Sequence, residues 1–230
     1  MKKVKIPSEL SYIIFIIILS FSVAMASAAD FGLSMIVAPA YILCLKFPVL
    51  TFGQAEYVVQ GILFIAMCIM IRKIKPILLV SFATGIIYGA FLDLWRVIVP
   101  ILNPNVTPPG EMHMPVRIVM FVGSSLITAL AVALCFRTYI YPQVYDLFVK
   151  ILYTHYKLDP NKCKICFDIC CLAVSLIMTL ALFGSIKGIG VGTVILALFN
   201  GILIGLAGKL LDKYVVFEPL FPKFAKLFEI

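Results

Sequence analysis

The chain has 230 residues, of which 63% are hydrophobic and 13% charged, with a net charge of +8. Soluble globular domains are about 45–50% apolar and about 25% charged, so this composition excludes a soluble fold and places the chain in a lipid bilayer. The positive charge does not call for nucleic acid as a partner, because basic residues collect in the cytoplasmic loops of membrane proteins.

Lys2, Lys3 and Lys5 precede an apolar run over 11–29. Ala26-Ser27-Ala28 has the look of a signal-peptide cleavage site. The run nevertheless has about the ~20 residues that a span needs, and its removal would leave the first half of the chain one helix short. It is read as a retained first span. The stretch 30–50 is broken by Pro39, Lys46 and Pro48 and is too short to cross, so 32–47 is expected to be interfacial or re-entrant. A second span covers 55–71 and ends in Arg72, Lys73 and Lys75. Pro76 suits the first turn of the third span, 76–98, which carries Asp93, Trp95 and Arg96 near its far end.

The stretch 104–115 is rich in Pro, Asn and Gly and reads as a linker between a first unit, 1–103, and a second, 116–213. The second unit opens with a fourth span, 116–136. A polar and aromatic segment follows, in which Val144, Leu147, Phe148, Ile151 and Leu152 recur at helical spacing, as in an amphipathic helix lying on the membrane. The fifth span is 166–183 and the sixth 192–211; the tail, 214–230, reads as interfacial. With both termini inside, only Lys46, Arg96, Arg117 and Lys187 of the 19 basic residues fall outside. This bias predicts a multi-pass protein of the cell membrane with cytoplasmic N- and C-termini.

Two stretches echo each other. Thr84–Leu94 lies over Asn200–Leu210, with Gly85 over Gly201 and Gly89 over Gly205. Three spans per unit would start the second unit from the opposite side. The expected fold is therefore an all-α membrane protein of six spans, built as two inverted three-helix repeats, each with a short helix after its first span.

Gly188-Ile189-Gly190, followed by Gly192-Thr193, together with Ala29-Asp30-Phe31-Gly32-Leu33-Ser34 and Tyr145-Asp146, resembles motifs of the YczE/YyaS/YitT group of bacterial membrane proteins. The resemblance implies six spans and a transporter-like shape, and it brings no substrate.

The candidate site residues follow from cost and spacing. A carboxylate inside hydrocarbon marks a function by default, so Asp30, Glu56, Asp93, Asp146 and Asp168 are candidates for substrate or ion coupling. Arg96 joins them as the expected partner of Asp93, three residues away. Glu56 and Asp168 stand near the starts of the second and fifth spans and are the paired candidates. Gly85, Gly89, Gly201 and Gly205 leave small-residue faces for helix packing or for a backbone-lined path. Gly188, Gly190, Gly192 and Thr193 could present free amides to an anion at a helix start. Cys163, Cys166, Cys170 and Cys171 lack the second ligand cluster of a metal site. No enzyme signature is present, and no metal or cofactor is assigned.

The expected function is small-solute transport between the two halves. One alternative is a capture subunit that docks on an energising ATPase complex through Ala24, Ala26 and Ala28. The other is a non-transporting scaffold or accessory factor. The partners expected are the lipid bilayer, an unknown small solute, and a second copy of the chain or a membrane partner subunit.

Overall fold

The computed structural model describes residues 4–72 and 78–225. Lys2, Lys3, Lys73, Lys75, Pro76 and Lys226 lie outside these residues, so the parts of the charge pattern and of the third span that fall on them are not addressed.

Six helices are long and apolar enough to cross a membrane: α1 (Ser8–Ala29), α3 (Phe52–Ile71), α4 (Leu79–Ile98), α5 (Met114–Cys135), α7 (Pro160–Phe183) and α8 (Val191–Tyr214). Two shorter helices, α2 (Ala38–Lys46) and α6 (Val144–Tyr156), follow α1 and α5. The chain is a membrane protein. A short helix, α9 (Pro222–Ala225), ends the described residues.

Local chemistry sets the boundaries. Thr51 and Gln54 form a capping box at the start of α3. Asp159 accepts from the Lys162 amide at 2.8 Å, and Pro160 occupies the first turn of α7. That cap begins α7 six residues before the expected start of the fifth span. Asp30, with φ 54°, ends α1 in the left-handed conformation.

The core is built on α1 and α5, which run antiparallel. Arg117, at the start of α5, donates to the Ala29 carbonyl at the end of α1 at 2.9 Å, and Ser22 meets Thr128 at 2.9 Å. Ala24, Ala26, Ala28 and Ala29 are buried there, where small side chains let the helices approach closely. This corrects the expected docking role of Ala24, Ala26 and Ala28, whose faces are already covered. α4 lies against α1, and α8 against α5.

The short helices cross over. α2 packs on α3 and α7, while α6 packs on α7 and α3. Val144, Tyr145, Leu147, Val149 and Ile151 of α6 are buried in these contacts. The apolar face expected to lie on lipid is covered by protein instead, because α3 and α7 offer it apolar side chains.

The long helices differ in one respect. α3 packs along α4, but α7 and α8 barely touch. A two-stranded parallel sheet joins the chain ends, pairing β1 (Val4–Pro7) with β2 (Val215–Glu218). Lys5 bonds Glu218 at 2.8 Å across it. β1 and β2 therefore lie on one face of the bundle, and part of the tail expected to be interfacial is a strand.

Candidate functional site

Between α7 and α8 lies a cavity of about 310 Å³. Its walls come from Leu19 and Val23 of α1, Tyr88 of α4, Asn200 of α8, and Thr128 and Val132 of the last two turns of α5. Ser34–Val37, which lead into α2, and Gln143, Tyr145 and Asp146, at the start of α6, close its inner side. Both short helices thus begin at the cavity. A shallow groove continues from Phe136, Gly201 and Ile204 along α8, past Gly205 and Gly208 to Arg137 and Asp212. Arg137 clamps Asp212 there with two bonds of 2.7 and 2.6 Å.

The charged wall comes from α6 and α7. One helical turn on α7 places Lys164 and Asp168 on the same face, with Lys164 Nζ 3.2 Å from Asp168 Oδ1. The same ammonium lies 3.8 Å from Asp146 Oδ1 of α6. Two carboxylates thus share one cation beside the cavity. Gln143 is 7% exposed, and its side-chain Nε2 has no hydrogen-bond partner among the described residues; the same holds for Asn200 Oδ1. Both residues line the cavity.

Glu56 stands one layer behind this wall. It is completely buried, accepts from Gln60 Nε2 at 3.1 Å and from the Tyr145 hydroxyl at 2.9 Å, and leaves Oε1 without a partner. A carboxylate costs about 2.5–3.5 kcal/mol at the centre of a spanning helix on insertion scales and less towards an end, where Glu56, the fifth residue of α3, stands. Hydrogen bonds to a charged group return about 1.5–3 kcal/mol each, so two such bonds are enough to hold the acid in place. Tyr145 links the layers, since its ring lines the cavity and its hydroxyl holds Glu56. Tyr145→Phe should therefore destabilise the protein by about 1–3 kcal/mol, towards the upper end because the orphaned acceptor is a carboxylate. Thermal unfolding in detergent measures this, and an unchanged melting temperature would remove Tyr145 from the account.

The other sequence candidates fall elsewhere. Asp30 pairs with Arg117 at 3.3 Å at the far end of α1. Burial pushes its carboxyl above the usual range, and Arg117 opposes that rise. Asp93 does not pair with Arg96. It accepts from the Thr51 hydroxyl at 2.5 Å and the Gly53 amide at 2.8 Å, because the N-terminus of α3 offers donors that Arg96 is not placed to supply. Arg96 instead stacks on the Phe52 ring, 5.4 Å from its centroid.

The Gly188–Thr193 segment is not an open anion cradle. The Gly192 amide donates to Phe31 O at 2.8 Å, the Thr193 amide to Gly190 O at 3.0 Å, and the Gly190 amide to Thr193 Oγ1 at 3.3 Å. The donors are spent on the Asp30–Gly32 turn and on the segment itself. Gly32, at φ 95°, and Gly188, at φ 75°, make that close approach possible.

The glycine pairs also separate. Gly85 and Gly89 face Gln60, Gly53 and Tyr57 of α3, whereas Gly201 and Gly205 have no atom within 4 Å of where a Cβ would stand. The packing role expected of Gly201 and Gly205 is corrected by that open space. Sequence reasoning missed Gln60, Tyr88, Gln143, Lys164 and Asn200 as parts of one neighbourhood. The four-residue spacings Glu56–Gln60 and Lys164–Asp168 were the available signal.

The model of a family of unknown function, DUF6198, matches residues 6–209. That match does not single out the YczE/YyaS/YitT group. Neither a curated protein nor a solved structure matches the chain.

Proposed function

The chain belongs to DUF6198, a family of unknown function, and we propose that it moves a small polar solute across the cell membrane through the cavity between α7 and α8. The observation that carries this reading is the cavity itself: a charged, partly unpaired wall among five of the six apolar helices, α1, α4, α5, α7 and α8. Groups of this kind are costly in hydrocarbon and face water-filled pathways when they occur. About 310 Å³ lies at the low end of the roughly 300–1,000 Å³ of small-molecule pockets.

The fold is read further as two inverted repeats, α1–α4 and α5–α8. Several features support this. Each unit has the order long, short, long, long. α1 and α5 meet antiparallel, α4 on α1 corresponds to α8 on α5, and α2 on α7 corresponds to α6 on α3. Carriers of this kind bind solute at the repeat interface, near broken or short helices. The sheet that joins the chain ends supports an even number of crossings, and the basic residues favour placing both ends in the cytoplasm.

Glu56 and Asp168 are assigned the coupling role, with proton uptake linked to solute movement. Glu56→Gln and Asp168→Asn should each reduce coupled flux to background while the variants remain folded. The measurement is solute-driven pH change inside dye-loaded proteoliposomes, using a pool of small polar solutes. Normal flux in both variants would sink the coupling role.

A capture subunit docked on a membrane partner is the second reading. One observation favours it: α8 packs on α5 along one side only and leaves the rest uncovered, with only 6% of its apolar window buried. Co-purification of the native protein with a stoichiometric partner would select that reading.

A further inference from the structure

We infer that the solute of this cavity is a small organic monocation, a protonated amine that also carries one hydrogen-bond acceptor. The inference rests on the transport reading above and names the class of solute for the same site. The charged side chains that line the cavity are Lys164, Asp146 and Asp168, which sum to one unfilled negative charge. The two short-helix starts do not reverse that balance. At α2 the amides of Val37 and Ala38 both donate to Ser34 O, and Pro39 has no N–H to offer. At α6 the first turn already contains Asp146, which offsets the positive end of the helix. A monocation beside Asp168 therefore neutralises the wall, whereas an anion would add to an excess that is already there.

The orphaned polar atoms refine the class. Asn200 Oδ1 is a buried acceptor without a donor, and Gln143 Nε2 a buried donor without an acceptor. Gln143 is 93% buried, by its 7% exposure, and lines the cavity, so it is neither a surface amide nor solvated. Both atoms are shielded in this structure, so a solute with an N–H and an oxygen acceptor satisfies them once the two amide side chains turn towards it. Tyr88, Tyr145 and Phe136 line the same walls, and aromatic side chains are compatible with a nearby cation.

The test is thermal unfolding of the purified full chain in detergent at constant ionic strength. The probes are ethanolammonium, propylammonium, acetate and sodium. Ethanolammonium at tenfold over its dissociation constant should raise the melting temperature by about 3–6 °C. Propylammonium, which lacks the acceptor, should bind more weakly, and acetate and sodium should give no shift. Asp168→Asn should abolish the ethanolammonium shift. Lys164→Gln, which leaves two unfilled negative charges, should tighten binding roughly tenfold. Gln143→Leu should bring ethanolammonium down to the level of propylammonium. A shift with acetate, no shift with ethanolammonium, or a shift that survives Asp168→Asn overturns the assignment. Uptake into proteoliposomes separates the two failures: entry of acetate in place of the ammonium ions removes only the solute class, while entry of no probe of any charge removes the transport reading as well.

Discussion

Gly89→Ala is expected to lower the melting temperature, and Gly201→Ala is not, although the two glycines occupy similar apolar helices with the same G-x-x-x-G spacing. A Cβ on Gly89 would stand 2.9 Å from Gly53 O and 3.2 Å from Gly53 Cα, and would overlap the Tyr57 ring. A Cβ on Gly53 would in turn stand 2.7 Å from the Gly89 carbonyl carbon. Both obstacles are backbone, so α3 and α4 must move apart as whole helices. Overpacking of this kind costs about 1–3 kcal/mol and sometimes more, against a gain of about 1 kcal/mol from replacing glycine in a helix. With backbone as the obstacle the clash falls at the upper end of that range, and a net loss of up to about 2 kcal/mol corresponds to a drop of up to about 4–8 °C for a chain of this size. At Gly201 and Gly205 there is no clash to set against the gain, so alanine there should leave stability unchanged or slightly raised. Thermal unfolding of the three variants decides. Equal losses at Gly89 and Gly201 would mean that α8 is covered in the folded protein.

The six spans were legible because a bilayer imposes a length and an apolar composition on each of them, and both can be read residue by residue. α7 begins ahead of the expected fifth span because Lys162 and Lys164 lower the hydropathy of its first turns, while the Asp159 cap that begins the helix depends on a single bond. The strand pair escaped notice for a different reason. Each strand has four residues, and Lys5 meets Glu218 across 213 positions, so no local pattern announces the pairing.

The candidate site shows the same division. Glu56 and Asp168 stood out as acids inside apolar runs. Their surroundings did not, because Tyr145 reaches Glu56 from a helix whose spacing suggested a surface position. The glycine motifs of α4 and α8 illustrate the limit most clearly. Both read as close-packing faces, yet only Gly85 and Gly89 are packed. Helix spacing describes what a face permits and does not choose the neighbour that occupies it.

That difference between the α3–α4 and α7–α8 pairs leads to the largest functional effect. If the two units are inverted copies, the tight α3–α4 contact and the parted α7–α8 pair are the same contact in two conditions. Exchange of the two conditions would close the present cavity and open one related to it by the pseudo-two-fold axis, which is how rocking repeats deliver a solute from one side to the other. The ends of α3 and α4 that must then part are held by Asp93, through the Thr51 hydroxyl and the Gly53 amide. A short thiol cross-linker between Thr51→Cys and Asp93→Cys should hold them together. Solute flux in proteoliposomes is expected to fall to background after cross-linking and to return on reduction. The reduced double variant serves as the control for the lost cap and lost carboxylate. Ethanolammonium binding should survive the cross-link, because the cavity between α7 and α8 stays as it is. Flux that continues at full cross-linking would show that α3 and α4 need not separate, and the contact would then be a fixed structural seam with α7 and α8 alone forming the gate.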